Sequence, residues 1–294
     1  MHTKRFYRYL QFEKRFSEHT LLAYRRDLDV FCEFLLDRYE LNDPDQAGHD
    51  MIRSWLVSLM ESGLASSTIN RKLSVLRSYY RFLSREELIQ INPTLKVRAP
   101  KLQKRLPVFV EESRMDLLKD LLPGDADFEK LRDKLIIETF YQTGVRLAEL
   151  LSMKEEDLDI HSRQLRVTGK RKKERVIPFS PEYGNLMKEY LRRKKLEKFD
   201  NIPQVLFVKN NGEKLSRAMV YTLVKKYLDM TAFTGKKSPH VLRHTFATHL
   251  LDHGADLNAV KELLGHASLA ATQVYTHNSV ERLRKVYKQA HPRG

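Results

Sequence analysis

Arg146, Lys170, His240, Arg243, His266 and Tyr275 follow one another along this 294-residue chain. Two arginines, a lysine, two histidines and a tyrosine are the set needed to attack a phosphodiester without a metal. The guanidiniums can neutralise charge on the non-bridging oxygens in the transition state. A histidine can accept the nucleophile's proton, and a lysine can protonate a departing 5′ oxygen. A tyrosine can form a covalent phosphotyrosyl bond. That bond conserves the phosphodiester energy, so another 5′-hydroxyl can reverse the step and join new partners. No cofactor is required. In agreement, the sequence has no GxxxxGK(S/T) nucleotide loop and no evident carboxylate cluster for paired Mg²⁺.

Local sequence gives each residue a setting. Arg146 follows Gly144 in TGVRLAEL at the start of a helix, where backbone N–H groups already favour an anion and a guanidinium fork matches two phosphate oxygens. An ion pair with Glu149 at i+3 is the plainer reading of Arg146 taken alone. Lys170 lies in VTGKRKKER with Lys172 and Lys173, a basic turn that can present any of the three. HVLRHTFATH (240–249) reads as a helix, since Leu242, Phe246 and Leu250 recur every four residues. On it His240 and Arg243 lie about 60° apart. A zinc protease helix needs Glu directly after its first histidine, and Val241 stands there. His266 precedes Tyr275 by nine residues in LLGHASLAATQVYTH. His244, His249 and Tyr287 read as packing or hydrogen-bonding residues, and Tyr79, Tyr80 and Phe82 as core.

The elements that must position these residues are mostly helical. Ser17 is a plausible N-cap for a helix through TLLAYRRDLDVFCEFLLDRY, Asn42 to Pro44 break the chain, and a second amphipathic stretch closes at Gly63. Ser66 or Ser67 caps a third helix, and Asn92-Pro93 ends the region. KVRAPKLQKRLP (96–107), with five positive residues, two prolines and no acid, reads as an interdomain linker. Helices are expected at 111–121, 127–143, 181–197, 216–230, 239–252, 256–264 and 279–288. QLRVTG and ERVIPF read as short strands of a hairpin. The class is mainly α with a small β-sheet, divided into residues 1–98, a basic linker at 99–106 and a second domain at 107–294.

Charge agrees with a polyanionic partner. The net charge is +15 and the sequence pI about 9.7. Residues 1–98 carry 16 Lys and Arg against 13 acids; the remainder carries 37 against 25, so the surplus is concentrated in the second part. Cys32 is the only cysteine, which excludes an intramolecular disulfide and fits a reducing cytosol. No apolar run of membrane-spanning length and no signal-peptide core occur, so a cytoplasmic protein is expected.

Taken in order, TGVRLAELLSM, TGKRKKERVIPF, SPHVLRHTFATHLL, ELLGHASLAATQVYTH and SVERLRKVYKQAHPRG, preceded by SEHTLLAYRRDL and SSTINRKLSVLRSYYRFL, resemble the tyrosine recombinases, most of all the Xer chromosome-dimer resolvases of bacteria. The resemblance covers nearly the whole chain. It implies an N-terminal SAM-like core-binding domain and an α-rich catalytic domain, clamping double-stranded DNA between them. It makes Arg146 and Arg243 the phosphate clamp, Lys170 the general acid, His240 the first histidine, His266 the second, transition-state-binding histidine and Tyr275 the nucleophile. It implies strand exchange through a Holliday junction in a homo- or hetero-tetramer at a dif-like site, under a division translocase of the FtsK type. An integrase of a mobile element is the alternative with the same chemistry. A non-catalytic DNA-binding regulator is the alternative of a different class.

The tail carries one more expectation. Val280, Leu283, Val286 and Tyr287 form an apolar stripe on a helix too short to be stable alone in water. The resemblance implies that this stripe docks on a neighbouring protomer rather than on its own domain.

Overall fold

The computed structural model describes residues 2–102, 108–122, 127–169, 174–199, 205–265 and 277–294, the side chains of 277–280 excepted. The chain divides into two units, residues 1–105 and 106–294. Residues 103–107, at the end of the basic segment, lie outside the described residues.

In the first unit, α1 (Thr3–Arg8) runs into a π turn at Tyr9–Glu13, followed by α2 (Glu18–Tyr39), α3 (His49–Glu61) and α4 (Ser66–Arg85). Ser17 caps α2, its hydroxyl accepting from the Thr20 N–H, and α2 ends at Glu40 in the left-handed region. The cap of α4 departs from expectation. It is Ala65, without a side-chain cap bond, and Ser66 and Ser67 already lie inside the helix. The alternating turns of α4 bury Ile69, Leu73, Leu76, Tyr79, Tyr80 and Leu83 against Phe6, Phe31 and Trp55. The Tyr80 hydroxyl donates to the Pro44 carbonyl at 2.6 Å, so these tyrosines serve the core as expected. Cys32 packs half-buried beside them, and burial pushes its thiol up to about 11, which leaves it a protonated packing group.

The second unit is built around α6 (Phe128–Thr143), buried along nearly its whole length between α8 (Pro181–Leu196) and α10 (Pro239–Asp252). A helix buried all round is normally apolar, yet α6 carries Arg132, Asp133, Glu138, Thr139 and Gln142 inside. They are paired, as buried polar groups must be. Arg132 forks onto Asp133 and reaches Asn210; Thr139 meets the Tyr183 hydroxyl at 2.7 Å; Gln142 donates to Glu138. Around this axis lie α5 (Glu112–Leu121), α7 (Leu147–Ser152), α9 (Arg217–Met230), α11 (Leu257–Leu264) and α12 (His277–Ala290).

The small sheet has β1 (Leu158–Asp159), β2 (Gln164–Thr168) and β3 (Glu174–Pro178) in sequential antiparallel order. β1 was not expected from the sequence. It is two residues long, too short for any periodicity to announce it. Leu165 faces Ile177 and Val167 faces Arg175 across the inner face of the hairpin.

In the single chain the tail packs on its own domain. Leu283, Tyr287 and Ala290 of α12 are buried in the chain's own domain. The Tyr287 hydroxyl donates to Gln142 at 3.2 Å, His291 Nε2 meets the Tyr141 carbonyl, and Arg293 donates to the Met115 carbonyl. A groove for the apolar stripe is therefore present in cis, formed mainly by β3, α10 and α11.

Candidate active site

Helix α7 begins at Arg146, which is its N-cap residue, and Glu149 is the third residue inside it. The Glu149 carboxylate accepts the Arg146 backbone N–H at 2.7 Å and the Arg146 Nη1 at 2.8 Å. The first bond satisfies a helix-start donor that would otherwise lack a partner. The second is the ion pair considered for Arg146 from sequence. That pair leaves the guanidinium substantially exposed, its side chain 43% accessible.

Arg243 comes from the second turn of α10 and is buried. One Nη donates to the carbonyl of Gly144 and the other to the carbonyl of Leu264 at 2.7 Å. Gly144 is the left-handed cap of α6, and a Cβ there would run into Phe246 and Leu264. A residue other than glycine would push this anchoring carbonyl away from Arg243.

The C-terminus of α11 gathers these groups. The last carbonyls of a helix have no partner within it and carry partial negative charge. Here Leu263 O accepts from Arg175 Nε at 2.8 Å, Leu264 O from Arg243, and Gly265 O from Arg146 Nη2 at 3.4 Å. Three successive carbonyls thus hold three arginines that come from α7, β3 and α10. His266 is the next residue in the sequence.

Electrostatics record the crowding. Burial alone would raise the Glu149 carboxyl, but Arg175 and then Arg146 outweigh it and hold it at about 2. Burial, followed by the like charges of Arg146 and Arg175, pulls Arg243 down to about 9. Two guanidiniums share the Glu149 carboxylate, and the third, Arg243, is held by carbonyls beside them. The excess positive charge is what an incoming phosphodiester would neutralise.

His240 lies in the first turn of α10, exposed, one turn before Arg243. The structure thus brings Arg146 and Arg243 to one place and sets His240 on the helix that carries Arg243. Lys170, with Lys172 and Lys173, and also His266 and Tyr275, lie outside the described residues. His249 is buried, with the Tyr141 hydroxyl 3.0 Å from Nδ1, and His244 is half-buried with its pKa lowered by burial and then by His240. Both agree with packing roles. Two residues escaped the sequence reading: Glu149 was seen only as a competing ion-pair partner, and Arg175 only as part of a strand. The signal for Arg175 was a charge at an inward position of an alternating strand. The three carbonyls of α11 left no signal at all, since backbone groups have none.

Comparison with known proteins decides the family. The phage integrase family matches residues 109–282, and the phage integrase N-terminal SAM-like domain matches residues 3–87. The chain belongs to the phage integrase family. As a member it is a site-specific tyrosine recombinase. It is 40% identical to the tyrosine recombinase XerC of Pelotomaculum thermopropionicum, over all of this chain and 99% of the relative. It is also 40% identical to XerC of Halalkalibacterium halodurans, over 97% of this chain and 95% of the relative. Among solved structures, XerH recombinase bound to a palindromic difH substrate in a post-cleavage complex shares the fold. Its TM-score is 0.71 at 23% identity, over 90% of this chain and 78% of that one. Mainly helical architecture with one small sheet fits this family. No helix among the described residues is long and apolar enough to cross a membrane.

Proposed function

We propose that the recombinase cleaves and rejoins duplex DNA with Arg146 and Arg243 clamping the scissile phosphate, and that it resolves chromosome dimers at a dif-like site. The observation that carries the reading is the meeting of Arg146 and Arg243 on adjacent carbonyls, Leu264 and Gly265, immediately before His266 in sequence. Tyr275 attacks phosphorus and the 3′-phosphotyrosyl bond forms as the bond to the 5′ oxygen breaks. His240 takes the tyrosine proton, Lys170 supplies one to the leaving oxygen, and His266 binds the transition state. The freed 5′-hydroxyl of another strand reverses the step, and two such exchanges pass through a Holliday junction. Relatives named XerC at 40% identity support the chromosomal role over a mobile-element integrase. In that role the protein works in the cytoplasm as a tetramer, alone or with a related recombinase, under a division translocase of the FtsK type.

The test is covalent adduct formation on a suicide duplex carrying a dif-like site. Tyr275→Phe is expected to bind this DNA and form no adduct, and the wild-type adduct is expected to persist in EDTA. An adduct formed by the phenylalanine variant would overturn the assignment of the nucleophile.

A further inference from the structure

Arg175 occupies a position that the strand pattern reserves for an apolar side chain. It shares the inner face of the hairpin with Leu165, Val167 and Ile177 and is 3% exposed. All of its donor nitrogens are engaged. Nη1 and Nη2 fork onto the two Glu149 oxygens at 3.0 and 2.8 Å, and Nε donates to the Leu263 carbonyl. Gly265 makes room for it, since a Cβ there would sit 3.1 Å from the Arg175 Cδ. Enclosed this way, Arg175 has no route to a phosphate.

We propose that Arg175 is a positioning residue for strand cleavage: it fixes the Glu149 carboxylate so that Arg146 is aimed and its charge stays available for the phosphate. The inference rests on the reading of Arg146 as a phosphate clamp. A bidentate guanidinium fixes the plane of a carboxylate, and here it does so with both oxygens while Arg146 takes what remains. Without Arg175, Glu149 would turn wholly to Arg146, drawing that guanidinium aside and neutralising it. Arg175 also ties β3 to the end of α11. Residues 170–173 precede β3 in the chain and residue 266 follows α11, so one buried side chain links the supports of three proposed site residues.

The test compares single-turnover adduct formation by full-length Arg175→Met, Arg175→Lys and Arg146→Ala on two suicide duplexes with a dif-like site. One carries the ordinary scissile phosphate. The other carries a neutral methylphosphonate, on which no charge needs clamping. With the ordinary phosphate, Arg175→Met is expected to lose about 100-fold in cleavage rate, since a mis-aimed group costs about that much. Arg175→Lys, which keeps charge but cannot fork, is expected to lose about 10-fold. DNA affinity should stay near wild type. The melting temperature should fall, most for Arg175→Met, which takes a buried countercharge from Glu149. At a temperature where every variant is folded, both rate deficits should largely vanish on the methylphosphonate. Wild-type cleavage by the Arg175 variants, deficits of equal size on both duplexes, or failure of both variants to fold would overturn the inference. The clamp reading fails separately, if Arg146→Ala cleaves the ordinary phosphate at the wild-type rate.

Discussion

In residues 1–105 the buried carboxylate of Asp27 pairs with Arg71 and Lys72; in residues 106–294 that of Glu149 pairs with Arg146 and Arg175. Each arrangement has one buried cation, Lys72 or Arg175, and one that reaches solvent. The outer arginines are similarly exposed, 51% for Arg71 and 43% for Arg146, so exposure does not separate them. Charge balance and connectivity do. Asp27 joins only α2 to α4. Glu149 belongs to a group in which Arg243 adds a third guanidinium and the end of α11 holds all three. Three cations stand with one carboxylate here against two at Asp27, and burial, then repulsion from Arg146 and Arg175, lowers the pKa of Arg243. A carboxylate between two cations of one helix pair fastens helices. One paired with arginines from two elements, beside a third on the same carbonyls, gathers surplus positive charge at one place, as the proposed phosphate clamp requires.

Removing each carboxylate is the largest test of that contrast. Asp27→Asn leaves Lys72 buried without its countercharge, and Glu149→Gln does the same to Arg175; about 3 kcal/mol of stability is expected to go in each case. Trp55, the only tryptophan, is buried in the first unit and reports on it. Asp27→Asn is expected to shift the tryptophan fluorescence transition, and Glu149→Gln chiefly the far-ultraviolet dichroism transition. At a temperature where both variants are folded and DNA is saturated, Glu149→Gln should lose about 100-fold in cleavage rate. Asp27→Asn should lose none. Equal cleavage losses would erase the distinction drawn between the two carboxylates.

The same contrast marks what the sequence could reveal. Helices of both units were legible because their apolar residues repeat at helical spacing, as in Leu242, Phe246 and Leu250. Arg146 and Arg243 were legible as a pair because the family motif carries them. Their common support was not, because it consists of carbonyls at residues 263–265, which any sequence could supply. Glu149 was ambiguous for a physical reason: the same carboxylate is an ion-pair partner locally and a shared hub once β3 is in place. The cap of α4 was misplaced because Ser66 and Ser67 are good capping residues that the backbone happens to take inside the helix. The apolar stripe of the tail was legible from its spacing, but not where it docks, because periodicity shows a stripe and not the groove that receives it.

Acid sharpens the comparison from the side of Glu149. Arg175 and Arg146 outweigh the effect of burial and hold its pKa at about 2, below the ordinary 4.5. A depressed carboxylate contributes stability above its unfolded pKa and loses it as pH falls through the folded one. The contribution is on the order of 3 kcal/mol. The stability gap between wild type and Glu149→Gln, measured as the difference in urea midpoint, is therefore expected to be full above about pH 4.5 and to close toward pH 2. A gap independent of pH over that window would show that the carboxylate charge contributes nothing.

Gly144→Ala probes the anchor of Arg243 instead of its countercharge. At φ +58°, alanine is strained, and its Cβ would meet Phe246 and, at 2.9 Å, Leu264. A loss of about 2 kcal/mol in the second unit is expected. The tryptophan transition of the first unit should stay where it is. Cleavage should fall by more than the folded fraction explains, because the Gly144 carbonyl that holds Arg243 moves.

The smallest effects separate two helix starts in the first unit. Ser17 caps α2 through a 3.4 Å bond to the Thr20 N–H, while its hydroxyl lies 2.9 Å from that of Thr20. So long a bond belongs at the weak end of the range for caps, and Ser17→Ala should cost about 0.5 kcal/mol. At α4 the cap position is Ala65, in extended conformation at φ −62° and ψ 141°, where no side chain accepts a bond. Serine there can accept from the first turn without changing the backbone, so Ala65→Ser should gain about 0.5 kcal/mol. Ser66→Ala replaces a residue already inside the helix and should leave the tryptophan transition unmoved or slightly raised, alanine being the better helix former. The three shifts, read by fluorescence on one chain, locate the start of α4. A loss of about 1 kcal/mol in Ser66→Ala, with no gain in Ala65→Ser, would return the cap to Ser66.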